Sequence, residues 1–459
     1  MIDRIKNLKF RLSDLFLAIG FICFGVFAIF GQLFMQQQDP ANVALPLPAM
    51  IVGFVIGIGS FITYLFLEYK EGNFKLNFIF LIFVFLAIFN TIVIACQPSE
   101  VSYNVVSKTD VLYPVGTLVP VNVVISPIHK TMFAMEIILV CLFIYIGLFI
   151  FPKRFRSTKF IQIFSRIIAL GVFVVIVISF CMEGKQYIEF LKHLFNGTKL
   201  NDLLPYTVKS CVIHRNAYGM VLLLGVIFAI INHSITKKKL NYLRMVIYMI
   251  IMIFTLCKAS LAFGALILIG YIYFRLIIDY KNNKTRNLVL LSTISGLILI
   301  AIVLVMIASI SKGKYLGFLY VFENPTRTLQ TRIWIWEHSF QTLENGNWVV
   351  GKGFGIINLI ILPMNSVNGD AVFPTHSAFV NMLAEGGPIF LLAYLAFVIY
   401  SVIIIKRCWK KDPNLVFALS LGILVFFLYG FIETIQYLWY VLLFPIFLFY
   451  EVNVRQHQK

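Results

Sequence analysis

Charge is scarce in this chain of 459 residues: Asp, Glu, Lys and Arg make up 13% of it, about half of what a soluble domain carries. Set against 60% hydrophobic and 16% aromatic residues, that scarcity excludes a water-soluble fold for most of the chain. Metal-ligand spacing is missing as well. The seven cysteines, at 23, 96, 141, 181, 211, 257 and 408, form no CxxC and no His-paired cluster, which argues against a zinc site and a disulfide framework. No Asp-x-Asp pair, the metal-binding device common in enzymes that use nucleotide sugars, occurs anywhere. The common phosphate-cradling patterns GxxxxGK[ST] and GxGxxG are also absent. So are the internal repeats that mark many secondary transporters.

What is abundant is apolar sequence in blocks of about 18 to 25 residues, long enough to cross a hydrocarbon core as helix. The blocks predict an all-α, polytopic membrane protein of about twelve transmembrane helices, forming a single transmembrane domain over 1–459. The spans fall near 14–35, 49–68, 76–96, 131–151, 160–182, 216–234, 243–257, 261–278, 288–310, 378–405, 415–432 and 436–452. The formal charge of +18, from 38 Lys and Arg against 20 Asp and Glu, does not point to nucleic acid, because the basic residues sit in short clusters between apolar blocks. Examples are Arg4, Lys6, Lys9 and Arg11; Lys153, Arg154, Arg156 and Lys159; and Lys406, Arg407, Lys410 and Lys411. These clusters fall on alternate connections, which by the positive-inside rule are cytoplasmic, and both termini then lie inside. The first apolar run is too long for a signal peptide and no small-residue cleavage site follows, so it reads as an uncleaved first helix.

The opposite connections, 97–130, 183–215 and 311–377, are long and irregular. Sites tend to be built on such loops, and 311–377 is the large extracytoplasmic loop. Within it, Asn324 before Pro325 forms a helix start, a capping side chain followed by a residue with no N–H to satisfy, so a short helix is expected over about 325–343. Arg332, Trp336 and Phe340 share one face of it, either as a solvated surface helix or as an arginine presented beside aromatic rings suited to the lipid interface. Arg327 falls on another face and reads as a solvated first-turn residue, and His338 reads as structural. His376, between Thr375 and Ser377, stands where a helix re-enters the membrane. It is either a capping residue or a base with a usual pKa near ~6.5. Arg215 and Lys258 lie at the outer ends of apolar runs, as snorkelling anchors or as lining of a polar cavity. Glu385, inside a membrane run, must face protein, and Gly386, Gly387 and Pro388 mark a kink or break there. The glycines of Gly351-Lys-Gly-Phe-Gly355 read as a turn in preference to a phosphate cradle.

Taken together these residues resemble the O-antigen ligase and Wzy-type polysaccharide polymerase superfamily. The resemblance rests on the order of Arg332 with Ile335 and Trp336; Gly351, Gly353 and Gly355; His376; and Glu385 with Gly386. Arg215-Asn216 with Gly219, and Lys258-Ala-Ser260, are similar to two further motifs of that family. Where the family has His-Asn, this chain has His376-Ser377. The resemblance implies a metal-independent, inverting glycosyltransferase with no cofactor, working at the outer face of the bacterial cytoplasmic membrane. Its substrates would be undecaprenyl-diphosphate-linked glycans, and its other partners membrane lipids and a chain-length regulator. Arg215, Arg332 and Lys258 would bind the diphosphate, His376 would act as base, and Glu385 and Trp336 would support the site. A polymerase joining lipid-linked repeats is preferred over a ligase that moves finished chains to lipid A core. A transporter or flippase is the alternative of another class.

Overall fold

The computed structural model of the chain describes residues 11–36, 46–72, 74, 77–150, 158–198, 200–212, 215–278, 284–310, 325–344, 348–368, 377–409, 412–431 and 451. Helices dominate: α1 (Leu12–Gln36), α2 (Pro46–Lys70), α3 (Phe78–Cys96), α4 (Pro127–Tyr145), α5 (Thr158–Phe195), α6 (Arg215–Thr236), α7 (Leu240–Thr255), α8 (Lys258–Ile278), α9 (Lys284–Ile310), α10 (Pro325–Gln341), α11 (Ile356–Ser366), α12 (Ala378–Cys408) and α13 (Pro413–Tyr429). Seven helices among the described residues are long and apolar enough to cross a membrane, and the chain is a membrane protein on that ground. The outward face of α3 shows what such a helix looks like. Phe78, Leu81, Phe85, Ile88 and Ile92 recur every three or four residues and are all exposed, a stripe that only lipid can cover in a monomer.

Helices occupy eleven of the expected span positions, while most of the expected span near 436–452 lies outside the described residues. Two expectations need correction. The segment 97–130 is not irregular: strands β1 (Glu100–Val106) and β2 (Leu118–Val124) pair antiparallel, Glu100 opposite Val124 and Val106 opposite Leu118, a small hairpin within an otherwise all-α fold. Tyr103, Val105, Val119, Val121 and Val123 form the buried face of this hairpin, every second residue as a half-buried strand requires. The segment 183–215 is also more ordered than expected, because α5 runs on to Phe195 through a kink at Glu183 (φ −127°, ψ 22°).

The chain divides into two compact units. One holds residues 1–156, 331–399 and 430–452, the other 157–330, 400–429 and 453–459. In the first, α1 and α2 pack as an antiparallel pair on an aromatic core, with Phe24 stacked on Phe143 at 4.2 Å between ring centres. The hairpin β1–β2 links α3 to α4 and is tied to the loop helices. Asn368 accepts the Lys108 N–H at 2.7 Å, and the Gln341 amide donates to the Asn104 carbonyl at 2.9 Å. In the second unit α6 is the buried centre, enclosed from Tyr218 to Ser234, as expected of a helix apolar on all sides. Its far end is locked by Asn232 donating to Asn241 at 3.0 Å and by His233 paired with the Tyr271 hydroxyl at 2.8 Å.

Candidate functional site

The expected break in the re-entrant helix is present, and it organises the first unit. Within α12, Gly387 leaves helical geometry (φ 64°, ψ −164°), a region open essentially to glycine alone. Two carbonyls lose their helical partners there. That of Ala384 would pair with the N–H of residue 388, which is a proline and has none; that of Glu385 faces the displaced turn. The loop 351–355 supplies replacements. Lys352 N–H donates to the Ala384 carbonyl at 2.7 Å and Gly353 N–H to the Glu385 carbonyl at 2.8 Å. Asn90, from the middle of α3, completes the junction by donating to the Glu385 carbonyl at 3.2 Å and accepting the Phe354 N–H at 2.8 Å. The Glu385 side chain, buried as expected, accepts the Gly355 N–H at 3.1 Å.

Four successive N–H groups of this loop are thus consumed by protein acceptors. That decides between the two readings of the sequence: the loop is a docking turn, and its backbone cannot cradle a phosphate. The glycines are required by close approach at positive φ. A Cβ on Gly351 would lie 2.7 Å from the Glu385 carbonyl group, and one on Gly355 2.2 Å from the Phe133 ring.

Helix α10 starts at Pro325 as expected. Its Ile335 is buried, and Trp336 and Phe340 pack with it against Ile357 and Ile361 of α11 and Ala384 of α12. Those rings therefore form a small protein core and not a membrane-interface belt, while Arg332, three residues before Ile335, is half-buried. His338 is buried and pairs through Nδ1 with Asn365 Oδ1 at 3.0 Å, the structural role expected of it; burial holds its pKa below the usual histidine value, partly offset by the Asn365 bond. Arg327 belongs to α10 by its backbone. His376 lies outside the described residues. Its neighbour Ser377 is buried and caps α12, accepting the Val380 N–H at 3.4 Å.

Arg215 and Lys258 belong to the second unit, each as the first residue of its helix, α6 and α8. These helices start side by side: a Cβ on Gly219 would sit 2.6 Å from Cys257 Cβ and 3.0 Å from Ser260 Oγ. Arg215 is half-buried and Lys258 exposed. The Lys-Ala-Ser break is built by Leu256 in the left-handed region (φ 46°) and by Ser260 Oγ within 3.1 Å of the Tyr429 hydroxyl. The segment leading to Arg215 is held by Glu183, whose carboxylate, freed by the kink in α5, accepts the N–H groups of Lys209 at 3.0 Å and Ser210 at 2.7 Å.

A cavity of about 490 Å³ opens in the first unit where α3 ends and β1 begins. Phe89, Cys96, Gln97, Ser102 and Tyr103 line it, together with Lys352 from the docking turn. Lys352 is only 4% exposed, and burial lowers its pKa from the ordinary lysine value; Tyr103 is pushed up to about 12 by the same cause. Lys130 stands nearby, donating to the Gln97 carbonyl. Asn90, Glu183 and Lys352 were not singled out from the sequence. The first two reveal themselves only through contacts across long chain separations, and Lys352 was hidden among glycines read as a turn. Among the described residues no group of three or more His, Cys, Asp or Glu side chains could hold a metal.

No model of a known protein family matches this chain, and no curated protein matches it in sequence.

Proposed function

We propose that the protein is a membrane glycosyltransferase that polymerises undecaprenyl-diphosphate-linked oligosaccharide repeats at the outer face of the bacterial cytoplasmic membrane, as an enzyme of the O-antigen ligase and Wzy-type superfamily. The observation that carries the reading is the docking of 351–355 on the break at Glu385–Pro388. It gives a physical reason for the glycine motif and the Glu-Gly pair to occur together, and α10, which bears Arg332 and Trp336, packs against Ala384 of the same broken helix.

The chemistry asks little of the protein. A diphosphate is already a good leaving group, so what must be supplied is stabilisation of the charge that develops on it. Guanidinium groups remain protonated and present forked donors to phosphate oxygens. Arg215 and Arg332 take that role, with Lys258 as a further cation at the start of α8. His376 removes the proton from the attacking sugar hydroxyl, a contribution of roughly 10²- to 10⁴-fold in rate. Attack opposite the leaving diphosphate inverts the anomeric centre, and no metal enters the step. Glu385 acts at one remove, by holding Gly355.

The test is an alanine series in the source organism, read as cell-surface polysaccharide together with membrane-localised protein. Arg332→Ala and His376→Ala should leave the protein in the membrane and abolish the product; normal polymer from both would end the proposal. A deletion strain separates the two activities of the superfamily. Accumulated single lipid-linked repeats fit the polymerase, and accumulated long unattached chains fit the ligase.

A further inference from the structure

The cavity beside α3 holds an unusual lysine. Lys352 lines it and is buried, yet its ammonium has no hydrogen-bond or ion-pair partner among the described residues. The ammonium is not sealed from solvent, and an anion taken into the cavity would offset the burial that disfavours its charged form. No carboxylate lines the cavity among the described residues. What does line it is donor-rich. Tyr103 keeps its phenolic proton throughout the physiological range, and Ser102 offers a hydroxyl, while Phe89 supplies an apolar wall. An apolar cleft with a few converging polar groups, in the range of about 300–1,000 Å³, is the usual form of a small-molecule site.

We propose that this cavity is a subsite for an anionic substituent of the glycan substrate, a carboxylate or a phosphate, gripped by the Lys352 ammonium with the Tyr103 and Ser102 hydroxyls as further donors. The proposal rests on the glycosyltransferase reading and adds to it a substrate class: glycans that carry negative charge. An ammonium presents three donors and no acceptor, so it selects an anionic oxygen group over a neutral hydroxyl. The subsite is also coupled to the rest of the unit, because the N–H of Lys352 itself is bonded to the Ala384 carbonyl at the helix break.

The experiment is ligand protection of Lys352 in the full chain, purified into lipid nanodiscs. A neutral acetylating reagent is applied, and acetylation of Lys352 is followed by peptide mass spectrometry, with the exposed Lys185 as internal reference. Probes are glucuronate, inorganic pyrophosphate and neutral methyl glucoside. At ten times its dissociation constant an occupying anion should slow Lys352 acetylation by about tenfold and leave Lys185 unchanged. Protection by glucuronate identifies an acidic sugar as the source of the anion and supports the proposal, whereas protection by pyrophosphate alone assigns the cavity to the lipid diphosphate and overturns it. Equal protection by methyl glucoside, or none by either anion, overturns the proposal. Calorimetry of the same probes on Lys352→Met and Lys352→Arg should show binding lost in the first and retained in the second, with melting curves confirming that both fold. Failure here differs visibly from failure of the function. A chain that polymerises without protection keeps the activity and loses the subsite, whereas protection without polymer does the reverse.

Discussion

Replacing Gly387 by alanine probes the helix break directly. At φ 64° and ψ −164° any residue with a Cβ is strained by about 1–3 kcal/mol. The added methyl would also lie 2.2 Å from the Val349 carbonyl oxygen and 3.1 Å from the Val350 nitrogen. Both are backbone atoms, so no side-chain rotation relieves the overlap, and relief by moving 349–350 drags the docking turn off the Ala384 and Glu385 carbonyls. Overpacking of this kind adds about 1–3 kcal/mol, for a combined loss of about 2–6 kcal/mol. Gly296, in α9, is the control: a Cβ there meets nothing within 4 Å, and alanine should be neutral or stabilising by up to about 1 kcal/mol. Thermal melting of the two variants in one detergent reads the difference. Gly387→Ala melting together with wild type and Gly296→Ala would refute the claim that the break and the turn are one strained junction.

Asn90→Ala should lower stability by about 2–4 kcal/mol in the same assay, since it removes two buried hydrogen bonds and leaves the Phe354 N–H unsatisfied. Glu183→Ala should free the N–H groups of Lys209 and Ser210 and reduce polysaccharide through misplacement of Arg215, at a stability loss of about 1–3 kcal/mol; Glu183→Gln, which keeps the acceptor oxygen, should recover most of the product. His338 gives a pH test. Its folded-state pKa is held below the ordinary histidine value of about 6.5 by burial, so the unfolded chain binds more protons in the window just under that value. Stability therefore rises with pH through that window and is lost as pH falls below it. Melting temperatures taken between about pH 7.5 and about pH 5 should fall less steeply for His338→Gln than for wild type, and identical slopes would remove His338 from the account.

Much of the helical frame is legible in the residues because each local signal acts on its own neighbours. Helix α10 starts at Pro325, where a proline without an N–H marks a first helical residue, and Gly386-Gly387-Pro388 breaks α12 because proline cannot donate to the turn behind it. The hairpin also left a local trace that the helical reading passed over: the alternation of Tyr103 with Val105, and of Val119 with Val121 and Val123, is a period of two in a segment too polar to span the membrane. The extension of α5 past Glu183 was hidden because its outer part is amphipathic and charged. What could not be read locally is pairing at a distance. Asn90 looks like an isolated polar residue in an apolar helix until the turn 264 positions later, bonded at Phe354, is brought against it. The character of Lys352 likewise depends on burial and on a cavity that no acidic side chain lines among the described residues, which only three dimensions disclose. By contrast Glu385 was legible as protein-facing, because an exposed carboxylate inside lipid is too unfavourable to persist.

The central claim is that this chain transfers glycans from a lipid diphosphate, and the most direct measurement is turnover by the purified protein in nanodiscs supplied with an undecaprenyl-diphosphate-linked repeat from the source organism. Wild type should lengthen the glycan and release undecaprenyl diphosphate in step with it, without added metal, and Arg332→Ala should do neither. A wild-type preparation that leaves the lipid-linked repeat intact, or an Arg332→Ala variant that extends it at the wild-type rate, would contradict the account.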